Sequence, residues 1–181
     1  MSEPVPRITL AGSDGGFLLG NELDEAITAF AAAAVRADAV DPMTTELVRL
    51  RCAQVHDCRL CGSLRSSDAL ELGLDERMTA QIARYETSDF DAAAIAALRL
   101  CDAIILAPAS ADPELAAELH RHFSDAQIAE LCLDVMKWSH QKMLVALRLE
   151  APPWQETTVL SFDENGDPVI GGPVDEHRTG R

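Results

Sequence analysis

Aromatic residues are scarce, at 4% of the 181-residue chain, and the 15 basic residues are outnumbered by 30 acids. The resulting net charge of −15 repels phosphate, and no basic stripe offsets it, which excludes nucleic acid as a partner. The same balance disfavours an anionic membrane surface. No apolar run approaches the ~18–20 residues that span a bilayer. The opening MSEPVPRITLAGSDGG lacks a charged segment followed by an apolar one, so no signal peptide is read there. A cytoplasmic location is therefore the expectation, and with it reduced thiols. GSDGGFLLG lacks both the GK[ST] ending and the preceding strand of a phosphate-binding loop, and reads as a flexible arm or turn. A second C-x-x-C is missing, which leaves a zinc site short of its four ligands. No motif calls for a cofactor.

What the chain does have is aliphatic mass. Hydrophobic residues make up 48% of it, with alanine and leucine abundant, and that bias favours packed helices. Residues 1–20 read as an irregular arm. From Asn21, a capping residue, ELDEAITAFAAAAVRA is helical with early acids. Asp41-Pro42 restarts the helix that carries MTTELVRLRCAQV and fades near His56-Asp57. A further helix is expected from about Cys58 to Leu72, stopped by Gly73. Asp75 opens a short helix to about Tyr85, and an apolar helix follows, stopped by Pro108. SADPELAAELHRHF carries its own cap and proline. The longest stretch, SDAQIAELCLDVMKWSHQKMLVALRL, is capped by Ser124 and ended by APP. The core, residues 21–150, is thus all-α. Residues 151–181 alternate in polarity around Asn165-Gly166, a hairpin signal, and read as a C-terminal extension with one β-hairpin packed on the core or on a neighbouring subunit.

The stretch ELVRLRCAQVHDCRLCGSLR holds the chemistry. Cys58 and Cys61 stand at i and i+3 at a helix start, where they share a face and where free N–H groups lower a thiol pKa. A working dithiol, a metal clamp and an inert buried pair are all compatible with this spacing; only His56 stands close by as an extra ligand. Folding about His56 as the midpoint of a helical hairpin brings Glu46 opposite Arg65, one turn beyond Cys61. The expected cluster is Glu46, Cys58, Cys61 and Arg65, with His56 at its edge. Cys52, Cys101 and Cys132 fall in apolar helical runs and read as core. His120 and His122 read as a solvated face, and His140 as a partly buried residue of a packed helix.

This stretch resembles the core motif of the alkylhydroperoxidase D (AhpD)-like branch of the carboxymuconolactone decarboxylase family: a glutamate, eleven intervening residues, then C-x-x-C. Glu46, Cys58 and Cys61 match it in type and spacing. The resemblance covers roughly residues 42–110. It implies an AhpD-like helical bundle, bearing here a short C-terminal β-hairpin extension, and a thiol-dependent peroxidase. Cys61 would attack a hydroperoxide, Cys58 would resolve the product as a disulfide, and Glu46 would serve a proton relay. A dithiol protein or small thiol would be the reductant, and the assembly a homo-oligomer, trimer or hexamer. Two positions depart from the pattern: Arg65 stands where the family carries its relay histidine, and Leu60 where some members carry another. Arginine cannot pass a proton near neutral pH, which leaves Glu46 or water to do so. The same family contains a lactone decarboxylase that uses no C-x-x-C, and a redox-sensing helical oligomer is the non-enzymatic reading.

Overall fold

The computed structural model describes residues 22–148 and 150–175. The expected N-terminal arm and the Asn21 cap lie outside these residues. Helix α1 spans Glu22–Val35 and α2 spans Pro42–Val55. Asp41 caps α2 as its sequence suggests, its Oδ1 accepting from the Thr44 N–H at 3.0 Å. After the dithiol segment come α4 (Ser67–Glu71), α5 (Glu76–Gln81) and a 3-10 turn over Ile82–Thr87. Helix α6 (Ala92–Leu106) is capped by Asp91, and α7 (Pro113–His122) by Asp112 with Pro113 in its first turn. A reciprocal Ser124–Gln127 capping box opens α8 (Asp125–His140).

Helices α2, α6 and α8 pack against one another, because each turns small or aliphatic residues inward. Val48 and Cys52 meet Ala97 and Cys101, with Leu131 and Val135 closing the layer. Alanines at the contact let the axes approach, and leucines fill the space beneath: Leu47, Leu50, Leu74, Ile82 and Leu98 form a second cluster. Each fully buried leucine contributes ~1.5–3 kcal/mol over an exposed one.

The fold is mostly helical, with one small three-stranded sheet. Two of its strands, β2 (Thr158–Phe162) and β3 (Pro168–Pro173), form the antiparallel hairpin expected of the extension. Its turn is wider than a two-residue Asn-Gly turn. The Asp163 carboxylate accepts from the N–H groups of Asn165 and Asp167, and Gly166 takes φ +84°. A Cβ on Gly166 would lie 2.7 Å from the Ala32 carbonyl, so the loop can rest on α1 only with glycine there.

The expected helix from Cys58 to Leu72 is not continuous. It breaks into α3 (Arg59–Gly62), strand β1 (Leu64–Ser66) and α4, and β1 pairs in parallel with β2. The carbonyls that would have continued the helix are taken by side chains. Arg49 donates to the carbonyls of Cys61 and Leu64, and Arg65 to those of Gly62 and Leu64. The last long helix also breaks, at Gln141, before α9 (Lys142–Leu147).

Candidate active site

Helix α2 ends in a Schellman turn. The Cys58 N–H returns to the Ala53 carbonyl at 2.9 Å and the Asp57 N–H to Gln54 at 3.2 Å, with Asp57 left-handed at φ 54°. That turn delivers Cys58 as the N-cap of α3, where its Sγ accepts from the Cys61 N–H at 3.3 Å. The two sulfurs lie 2.6 Å apart and are buried.

The two thiols are unequal. Cys58 titrates below the ordinary cysteine range, chiefly through its hydrogen bond with Cys61. The Cys61 N–H and Arg49 help, against the cost of burial and the nearby Glu150. Cys61 is pushed up by the same hydrogen bond, by burial and by the charge on Cys58, while Arg49 and Lys137 pull it back. The first thiolate of the pair therefore forms on Cys58. Cys61 is the sulfur that meets open space: it lines a cavity of about 460 Å³, beside Gln141, whose Oε1 accepts from the Cys61 thiol at 2.5 Å. Leu60, Leu64, Trp138, Trp154, Leu160 and Phe162 make much of the wall apolar.

Glu46 and Arg65 do not face each other. Glu46 pairs with Arg49 one turn along α2, at 2.6 Å and 2.7 Å, and accepts from the Ser66 N–H at 3.0 Å. Arg65 turns to Glu76 through two 3.0 Å hydrogen bonds. The hairpin geometry assumed a helix through residue 65, whereas β1 rotates that side chain away. His56 caps α2 and meets Ser139 Oγ at 3.1 Å, its pKa lowered by burial and by Lys142. Among the described residues, neither Arg65 nor His56 lines the cavity. His140 does line it, with Nδ1 2.5 Å from the Lys137 carbonyl.

Residues 21–103 match the model of the carboxymuconolactone decarboxylase family, a segment that holds Glu46, Arg65 and both cysteines. The likeness to that family is carried by residues 21–103. Among the relatives of this chain are two uncharacterised Mycobacterium tuberculosis proteins, MT2376 of strain CDC 1551 and Rv2313c of strain H37Rv. Each is 43% identical over 130 residues, which is 71% of this chain and 46% of the relative. The chain thus spans less than half of these relatives' length. YdfG of Bacillus subtilis, also uncharacterised, is 29% identical over 96 residues, 52% of this chain and 65% of its own. A crystal structure of an Agrobacterium tumefaciens protein of unknown function, provisionally assigned to antioxidant defence as an AhpD, shares the fold. Its TM-score is 0.62 at 20% identity, over 74% of this chain and 92% of that one. The apo debrominase Bmp8 aligns at a TM-score of 0.53 and 19% identity, over 72% and 68% of the two chains.

Several residues of this site escape sequence reading. Arg49, only 2% exposed, is the hub that ties α2 to α3 and β1. Burial works against its charge, but Glu46 outweighs that cost and holds the guanidinium firmly protonated. The Glu–x–x–Arg spacing on one helix was the available signal. Glu150 is buried and holds Arg59 through Oε1, and among the described residues its Oε2 has no hydrogen-bond partner. Trp154 donates to Ser63 Oγ at 2.9 Å and closes one side of the cavity. Cys52 and Cys101, read as core, are buried as expected, with their sulfurs 3.6 Å apart. Among the described residues, no three His, Cys, Asp or Glu side chains are grouped to hold a metal ion, and no helix is long and apolar enough to cross a membrane.

Proposed function

We propose that this chain is a thiol-dependent peroxidase that cycles a Cys58–Cys61 disulfide. One observation carries the reading: two sulfurs 2.6 Å apart at the start of α3, with Cys61 opening into a largely apolar cavity. A disulfide bond is ~2.05 Å long, so closure needs only a small displacement. The Cys61 thiolate attacks the terminal oxygen of a hydroperoxide, ROOH. The O–O bond breaks, the alkoxide leaves and takes a proton as ROH, and Cys61 becomes a sulfenic acid. Cys58 then attacks that sulfur, the S–S bond forms, and hydroxide leaves as water with the Cys58 proton. Two electrons have passed from the dithiol to the peroxide. A dithiol protein or a small thiol restores the pair by exchange.

In this scheme Cys58 has a second task. Because it carries the first negative charge, it keeps the Cys61 thiol close through the short S···S contact. Glu46 serves by holding Arg49, whose charge lies close enough to influence both sulfurs. Arg65 acts from behind α3, fixing the carbonyls of Gly62 and Leu64.

Cys61→Ser is expected to abolish hydroperoxide consumption. Cys58→Ser should consume one equivalent and trap Cys61 as a sulfenic acid or mixed disulfide, visible as a mass increase. Undiminished turnover in Cys61→Ser would refute the assignment.

A further inference from the structure

We propose that Lys137 is a catalytic residue of the dithiol cavity, carrying a proton from the Cys61 thiol to the leaving oxygen of the substrate. The inference rests on the peroxidase reading and supplies the proton carrier that Arg65 cannot be.

The geometry comes first. Lys137 projects from α8 and is 5% exposed, among the rarest placements for a lysine. It lines the same cavity as Cys61. Its Nζ lies over the Trp138 ring, 2.9 Å from the centroid, and 5.5 Å from that of Phe162. Among the described residues, Nζ has no hydrogen-bond acceptor. An ammonium so placed has lost much of its water and gained mainly aromatic faces in return, which lowers the cost of a neutral amine.

Each element packed around this amine bears on its charge. Arg49 on α2 disfavours the ammonium, whereas Cys61 on α3 and Asp134 on α8 favour it. His140, one turn on along α8, lines the same cavity, and the hairpin brings the uncharged Phe162 ring near the amine. Burial, first, and Arg49, second, bring the Lys137 pKa down to about 7. Asp134 sits one turn before it, 3% exposed, and among the described residues its Oδ2 has no hydrogen-bond partner. Burial and Glu130 raise its pKa to about 7 as well. Asp134 also lines a second cavity of about 320 Å³ that shares Trp138 with the first. It is thus a positioning residue, one turn from Lys137 on the same helix, whose charge bears on that of the amine.

The step balances. Neutral Lys137 takes the Cys61 proton and becomes an ammonium beside a thiolate. The thiolate attacks ROOH, the O–O bond breaks, and the alkoxide takes that proton from Lys137 to leave as ROH. The amine returns neutral, and Cys61 carries the hydroxyl as a sulfenic acid.

The test follows single-turnover oxidation of reduced protein by cumene hydroperoxide, between about pH 5.5 and pH 9, a range that brackets neutral ionisations. Wild type should show an ionisation near pH 7 that Lys137→Met lacks, and the variant should be slowed about 100-fold. Lys137→Arg keeps the charge but cannot release a proton, and should stay equally slow. Rescue by arginine, or an unimpaired Lys137→Met, overturns the proposal; Lys137→Gln repeats the test if the methionine variant does not fold. If the wild type is not oxidised by the peroxide at all, the peroxidase reading fails. Iodoacetamide alkylation of Cys61 then decides the Lys137–Cys61 exchange, since it needs no peroxide. A tenfold or larger loss of alkylation rate at neutral pH in Lys137→Met supports the exchange, and an unchanged rate overturns it.

Discussion

Glu46 and Arg49 are each 2% exposed and bonded to each other. A glutamate so engaged has one carboxylate oxygen on Arg49 alone and the other shared between Arg49 and the Ser66 N–H. Its two jobs, holding Arg49 and fixing the start of α4, are structural ones. Removing one partner of a buried pair strands the other charge. Glu46→Leu is therefore expected to cost about 3–5 kcal/mol, measured by urea denaturation. Adding Arg49→Met should restore much of that loss, because no unpaired charge then remains buried. A loss below about 1 kcal/mol in the single variant, the level of an exposed pair, would contradict this account.

At the scale of elements, the site is a junction. Helix α2 must stop, reverse through Asp57 and present Cys58 as a cap within three residues. Asp57 does this in a left-handed conformation at φ 54° that glycine adopts without strain. Asp57→Gly is expected to raise stability by about 0.5–1 kcal/mol, read as a higher melting temperature, with the dithiol unchanged. A lowered melting temperature would mean that the Asp57 side chain supplies more than its backbone angle costs. The same junction explains why β1 exists. Thr158 donates to the Ser63 carbonyl at 2.9 Å, so the C-terminal hairpin captures the segment after α3 as a strand. The extension is part of the site: Trp154, Leu160 and Phe162 are cavity wall.

For the whole molecule, the surface has unfinished business. Helix α1 contains no buried residue, and Leu23 on it is 73% exposed. Met136 and Met143, on α8 and α9, are 57% and 44% exposed. Single exposed apolar side chains are ordinary on a protein surface, and a subunit interface would cover these. A homo-oligomer, trimer or hexamer, is the expected state, and light scattering after gel filtration at micromolar concentration would detect it. A monomer there would contradict the expectation.

Local signals in the sequence determined much of this. The caps read at Asp41, Asp75 and Ser124 each stand at an observed helix start, because a capping side chain bonds within its own first turn. The placement of Cys58 and Cys61 at a helix start was legible for the same reason, and the hairpin followed from alternation. What the tertiary structure alone decided depends on groups far apart in the chain. Whether residues 63–66 continue a helix rests on Arg49 and Thr158 claiming their carbonyls. Which partner Arg65 takes rests on that break. Lys137 is 76 residues beyond Cys61, and no periodicity distinguishes a helical lysine that snorkels to water from one sealed under Trp138 and Phe162. Only packing removes the water, and removing the water is what changes the chemistry of the amine.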